Sequence, residues 1–466
     1  MSRTGTSPSR DGSTHLERRR ARESHLWGVN VAGYLEAELG IGEAARQLIT
    51  ALDAREVPVA PIGMRATMTR DKHRFAHRPA PSDGPFTVNV ICDNAIGIPA
   101  FAESFGARFF EGRYSIGLWF WEVSTFPACW DAAFGHLDEV WAASEHIAAA
   151  VRTRSPIPVS TVRLPVEPVG VASAGRAALG LDEGFCFLFV FDYNSVLDRK
   201  NPLGLVRAFT RAFPAGSGAS LMLKAINADK QPDASRQLRH AAAPHPDVRL
   251  LESFVSPEEK NALIASCDCY VSLHRSEGLG LTLAEAMYFE RPVIATGYSG
   301  NLDFMTDDNG YLVDYRLRSI GPGNDPYPPE GEWAEPDVDH AARLMRQVFD
   351  HPEEARARGR RAARDIRLTH SADAAGRTLE GRLVELGPRI AGAGALRTRS
   401  FLDAEPAAPG LSVDEALRRR RMRDWAARLA DVRRIERRLA SSPAPEMAIP
   451  QRSAGRLTST AVRKSG

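Results

Sequence analysis

The densest group of residues able to do chemistry runs from His274 to Ala286, in the order His-Arg-Ser-Glu-Gly-Leu-Gly-Leu-Thr-Leu-Ala-Glu-Ala. It holds two carboxylates, Glu277 and Glu285, with Gly278, Leu279 and Gly280 between them. A carboxylate accepts directional hydrogen bonds, so this pair can grip hydroxyl groups on separate parts of one polyhydroxylated ligand. The N–H groups of Gly278 to Gly280, with a helix N-terminus behind them, can face an anion. His274 lies within reach of the same ligand. A second group runs from Asp192 to Pro202 behind a strongly apolar stretch. In it Arg199 offers a forked phosphate contact and Lys200 a point charge. Plainer readings stand beside these. Thr282-x-x-Glu285 fits a capping box, in which Glu285 only closes a helix end. Glu277 is then a solvated loop charge, Arg199-Lys200 a solvated pair before a helix, and His274 a packed or surface histidine.

The elements that must position these residues are legible in the apolar pattern. Trp27–Val31, Phe86–Cys92, Tyr114–Trp121, Glu139–Ala143 and Val159–Leu164 read as strands separated by helical segments, the alternation of a parallel sheet covered by helices. A second series opens with Phe185–Phe191 (FCFLFVF), a continuous run suited to a strand buried on both faces. Ser220–Ile226, Val248–Glu252, Cys269–His274, Pro292–Thr296 and Tyr311–Val313 continue it. Ser256-Pro257-Glu258-Glu259 supplies an N-cap, a proline at N1 and a capping-box glutamate, so a helix is expected over 257–267. The stretch 316–336 is rich in Gly and Pro and reads as a long loop. The predicted organisation is a disordered tail (1–24), a first Rossmann-like domain (25–168), a second one (169–365), a helix returning to the first (366–390), and a linker, basic helix and tail (391–466).

A chain of 466 residues suits two domains, and 43% hydrophobic with 25% charged residues is an ordinary globular composition. A net charge of +2 excludes a globally basic nucleic-acid binder. The five cysteines are scattered and read as core thiols of a protein kept in a reducing compartment. The Cys267-x-Cys269 pair lacks a second pair to complete a metal site. No apolar run is long enough to span a membrane, and the N-terminus lacks the apolar segment of a secretory signal. The expected location is the cytoplasm.

Glu277-x7-Glu285, followed by Ala286-Met287, Arg291-Pro292-Val293-Ile294-Ala295-Thr296 and Ser299-Gly300-Asn301, resembles family 4 of the retaining glycosyltransferases. The resemblance covers roughly residues 26–388 and is densest from 185 to 315. It implies an α/β GT-B fold, two doubly wound Rossmann-like domains facing across a cleft. It further implies a nucleotide-sugar donor, with Glu277 at the sugar hydroxyls, Glu285 at the nucleotide ribose, and Lys200 at the diphosphate. Where the family often carries an arginine, this chain has Asn194, and neighbouring Arg199 is the candidate substitute. The pattern Gly40-x-Gly42 matches a family loop that approaches the donor phosphates from the first domain, and glycine allows such an approach. The catalytic set is thus Glu277, Lys200 and Arg199. The donor-binding set is Glu285, Gly278, Leu279, Gly280, His274, Gly40, Gly42 and Asn194. Trp121 and Glu122 are assigned to the acceptor side, since aromatic faces pack against sugar rings, with a place in the core the equal alternative for Trp119 and Trp121; the histidine that some family members carry there has no match in the sequence. The resemblance implies transfer of a hexose from a UDP- or GDP-sugar, with retention, to a glycan or lipid-linked acceptor in surface polysaccharide or glycoconjugate synthesis. No cofactor or metal is implied.

The C-terminal tail falls outside the resemblance. Ser412-Val413-Asp414-Glu415 forms a capping box, and Trp425, Leu429, Val432, Ile435 and Leu439 make one apolar stripe. Ten arginines lie between Arg418 and Arg438 against three acids. Such a helix suits either an anionic membrane surface, placing the enzyme peripherally at the inner face of the membrane, or docking on protein, with nucleic acid the least suited partner. Two rival functions remain: a non-catalytic nucleotide-sugar-binding protein of the same fold, and an interaction protein acting through this basic helix.

Overall fold

The computed structural model describes residues 28–37, 39–65, 75, 80 and 84–393. The expected N-terminal tail and the 412–440 helix lie outside the described residues.

Two six-stranded parallel sheets form the core. The first contains β1 (Val29–Gly33), β2 (Val59–Gly63), β3 (Val88–Cys92), β4 (Tyr114–Trp119), β5 (Glu139–Ala142) and β6 (Val159–Thr161), in the order β2-β1-β3-β4-β5-β6. The second contains β7 (Phe185–Asp192), β8 (Ala219–Ile226), β9 (Val248–Leu251), β10 (Cys269–Ser272), β11 (Val293–Thr296) and β12 (Tyr311–Val313), in the order β12-β11-β10-β7-β8-β9. Each sheet starts at an interior strand, runs to one edge, then crosses back and runs to the other. The fold class expected from the sequence is therefore present. β2 was missed, because its VAPIG sequence is short and carries a proline.

The expected loop 316–336 is corrected in part. It contains an antiparallel hairpin, β13 (Tyr315–Ser319) with β14 (Glu332–Pro336). The intervening Gly-Pro-rich residues hid two strands whose register is set by cross-strand pairing. The Ser256 capping box is formed on both sides, and the helix runs Pro257–Ser266. By contrast, the capping box that was the plainer alternative at Thr282 is absent. The helix Leu281–Tyr288 begins one residue earlier, behind Gly280 in the left-handed conformation (φ 86°), with no side-chain cap. Glu285 is therefore released from a capping role.

The helix Ala372–Ala393 packs onto the first sheet's layer. Its Glu380 pairs with Arg55 at 3.1 Å and its Arg382 with Glu139 of β5 at 2.9 Å. Glu139 is fully buried, and Tyr114 and Trp141 also donate to it. Among the described cysteines, Cys129 is exposed and the other four are buried, where burial raises the thiols above their usual range at Cys92, Cys186, Cys267 and Cys269.

Candidate active site

In an open parallel sheet, ligands bind beyond the carboxyl ends of the two strands where chain order reverses. In the second sheet those strands are β7 and β10. The two segments singled out in the sequence follow these two strands.

Side chains and backbone stitch the two segments together. Asn201, buried and in the left-handed region (φ 51°), caps the helix Pro202–Ala212 by accepting from the Gly204 N–H. Its side-chain amide donates to the Leu273 carbonyl at 2.8 Å. The Arg275 N–H donates to the Arg199 carbonyl at 2.7 Å. The loop after β7 is thus fixed to the exit of β10. As a result Lys200 meets Glu277 Oε1, and Arg199 Nη1 lies 3.1 Å from Glu277 Oε2. Arg199 also donates to the Ser276 carbonyl at 2.9 Å. All three charged groups are nearly buried. Burial alone would raise the Glu277 carboxyl, but Lys200 and Arg199 outweigh it and hold it down to about 2. Burial lowers the Lys200 ammonium, with Glu277 opposing that shift.

The loop bearing Glu277 is held from below. The Glu277 N–H donates to Ser299 Oγ at 2.8 Å, and its carbonyl accepts from the Gly300 N–H at 3.0 Å. A Cβ on Gly300 would fall on the Gly278 carbonyl, so Ser299-Gly300 packs against this loop as only glycine permits. His274 is fully buried, and burial lowers it. Its Nε2 lies 3.2 Å from both the Tyr298 carbonyl and Asn301 Oδ1, and its Nδ1 lies 3.2 Å from Ser272 Oγ. Two acceptors at Nε2 assign the proton there, leaving Nδ1 to accept from Ser272. His274 therefore braces the loop, with both nitrogens engaged.

Glu285 is buried, and its Oε1 meets Lys260 Nζ at 2.6 Å. Its Oε2 is buried without a partner. An unsatisfied buried carboxylate oxygen is costly, and a ligand hydroxyl would satisfy it. Leu279 is buried, while Asn194 is exposed and accepts from Gln231 at 3.3 Å.

Loops of the first sheet close over this group. Ser144 Oγ donates to the Gly278 carbonyl at 2.5 Å, and Asp303 accepts from the Glu145 N–H at 2.8 Å. Ser276 Oγ donates to the Glu122 carbonyl. The Glu122 carboxylate accepts from Tyr327 at 2.9 Å, and Tyr327 sits over Arg199 and beside Trp121. Trp121 is buried, and its indole N–H donates to the Thr125 carbonyl at 3.0 Å. His146, half-buried, lies 2.8 Å from the Glu122 carbonyl. Gly40 is exposed at the start of its helix, and a Cβ there would meet nothing. A Cβ on Gly42 would strike the Tyr34 and Ala37 carbonyls, so that glycine serves packing of its own loop.

Lys260, Asn201, Asp303, His146 and Tyr327 were not singled out in the sequence, and Ser299 and Asn301 entered only through the resemblance, without a role. Only Asn201 carried a local signal, as a polar residue before a proline at a helix start.

Residues 189–318 match the family described as Glycosyl transferases group 1. No curated protein matches the chain. Among solved structures, it is similar to Anabaena HepE in complex with UDP and glucose (12% identity, TM-score 0.57), covering 77% of this chain and 100% of that one. It is similar to sucrose-phosphate synthase from Thermosynechococcus elongatus (15% identity, TM-score 0.59), covering 78% and 100%. A glycosyltransferase from Rickettsia africae aligns at 12% identity and TM-score 0.54, covering 79% and 99%. The likenesses identify the fold as GT-B, and the family match over residues 189–318 supports a glycosyltransferase.

Proposed function

We propose that the chain is a retaining glycosyltransferase of the family 4 type, moving a hexose from a UDP- or GDP-sugar to a glycan or lipid-linked acceptor. The observation that carries this reading is the second sheet's switch point, where Lys200, Arg199 and Glu277 converge while Glu285 keeps one buried oxygen unpartnered. The donor diphosphate replaces Glu277 as the partner of Lys200, and Glu277 is freed to accept sugar hydroxyls. Glu285 accepts from the ribose. Catalysis rests on holding the donor and stabilising charge on the departing diphosphate. Arg199 is enclosed by Glu277, Ser276 and Tyr327, so its share is chiefly to hold Glu277 in place. Anabaena HepE was solved with UDP and glucose, the class of donor proposed here.

On this reading the enzyme works in the cytoplasm, in synthesis of surface polysaccharide or glycoconjugates, and needs no metal. Among the described residues no helix is long and apolar enough to cross a membrane. Peripheral membrane contact through 412–440 belongs to the same proposal.

A thermal-shift panel of nucleotide sugars tests it, because a donor binds the folded state and raises its melting temperature. One UDP- or GDP-sugar should give a clear shift that survives a chelator, and NMR of the turned-over sugar should show the donor's anomeric configuration. A panel with no shift, or an inverted product, overturns the proposal.

A further inference from the structure

Glu285 is gripped by a residue from another helix. Lys260 stands on the helix Pro257–Ser266, whose start is fixed by Pro257 and by a complete capping box between Ser256 and Glu259. Glu259 spends its carboxylate on the Ser256 N–H at 2.7 Å and does not compete for Lys260. The lysine ammonium reaches Glu285 Oε1 at 2.6 Å, while Oε2 stays buried and without a partner. Glu285 itself projects from the helix Leu281–Tyr288 and is buried.

Such an arrangement has a chemical consequence. The Lys260 ammonium takes up Oε1, so that Oε2 is the carboxylate oxygen left to accept from a ligand. The same contact fixes the carboxylate plane, because Oε1 cannot leave Lys260 without stranding a buried charge. The remaining oxygen therefore selects a ligand that brings hydroxyl hydrogens and repels one that brings an anion.

We propose that Lys260 is a positioning residue that sets Glu285 to read the ribose diol of the donor nucleotide, and so gives the site its preference for ribonucleotides over deoxyribonucleotides. The inference rests on the assignment of Glu285 to the nucleotide ribose. Lys260 acts through Glu285 and does not itself touch the sugar.

Calorimetric titration tests it with UDP and GDP, taking whichever binds more tightly, and with its 2′,3′-dideoxy counterpart. The wild-type protein should bind the ribonucleotide roughly tenfold or more tightly than the dideoxy form, the weight of a charge-assisted hydrogen bond. In Lys260→Met that ratio should fall to about twofold or less while the dideoxy affinity holds, and Lys260→Arg should restore it. Lys260 is partly exposed, and a melting curve confirms that each variant is folded. A Lys260→Met protein that keeps the full wild-type ratio overturns the role of Lys260 and leaves Glu285 at the ribose. Absence of any ratio in the wild-type protein overturns the ribose assignment, and the role of Lys260 with it.

Discussion

Both sheets are doubly wound with a single reversal of strand order, one strand from the edge in the first and at the centre in the second, and their chemistry differs as well. Beyond the carboxyl ends of β7 and β10, at the reversal point of the second sheet, two cations and a carboxylate meet in a buried cluster. The equivalent reversal in the first sheet lies between β1 and β3, where Tyr34 donates to Asp93 at 3.3 Å. The first sheet's other loops contribute mainly closure: Ser144 and the Glu122 carbonyl hold the Glu277 loop from outside, and the Glu145 N–H holds Asp303 beside it. Repeating a scaffold therefore repeats the crevice but not its contents. The loops decide which crevice carries charge.

The difference gives an ordered set of tests. Glu277→Ala should have the largest effect, lowering turnover roughly a hundredfold, since a charge-assisted contact and the geometry around it are both lost. In the structure Glu277 neutralises two buried cations, so the variant should also lose about 3 kcal/mol of stability. Chemical denaturation checks this, and an unchanged midpoint would show that water reaches Arg199 and Lys200 freely.

Gly300→Ala should come next. Its methyl group would displace the Gly278 carbonyl and with it the loop carrying Glu277. Turnover should fall by roughly tenfold and stability by about 1–3 kcal/mol, the usual toll of overpacking. Steady-state kinetics beside a melting curve would reveal it.

A smaller effect concerns acid. The folded Glu277 carboxyl sits near 2 against its ordinary 4.5. Its contribution to stability is therefore whole above about pH 4.5 and fades as pH falls toward about 2. The melting-temperature gap between the wild-type protein and Glu277→Gln should be widest near neutrality and should narrow below pH 4.5. A gap that widened in acid would reverse the assigned sign.

On the first-sheet side the smallest effects are expected. Gly40→Ala should change turnover by less than about twofold, because a Cβ there meets nothing. A large loss in that variant would bring the first domain's glycine loop back into contact with the donor.

What could be read in advance follows from how local the cause is. The strands of both sheets apart from β2 were legible because buried parallel strands are continuous apolar runs, as Phe185–Asp192 shows. Glu277 and Glu285 were legible because a short segment fixes their spacing. Lys260 was not, because its contact with Glu285 spans two helices and leaves no periodic mark. Tyr327 was hidden for the same reason, on a hairpin whose glycines and prolines look like loop. His146 answers to the acceptor-side region only through the fold, which brings the start of its helix to the Glu122 carbonyl.

The central claim, a nucleotide diphosphate held between Lys200 and Glu285, is tested most directly by titrating a nucleoside and its diphosphate into two variants. Lys200→Ala should lose roughly tenfold or more in affinity for the diphosphate while its nucleoside affinity stays within about twofold; Glu285→Gln should weaken both ligands alike. Equal losses for both ligands in Lys200→Ala, or none in Glu285→Gln, would contradict the account.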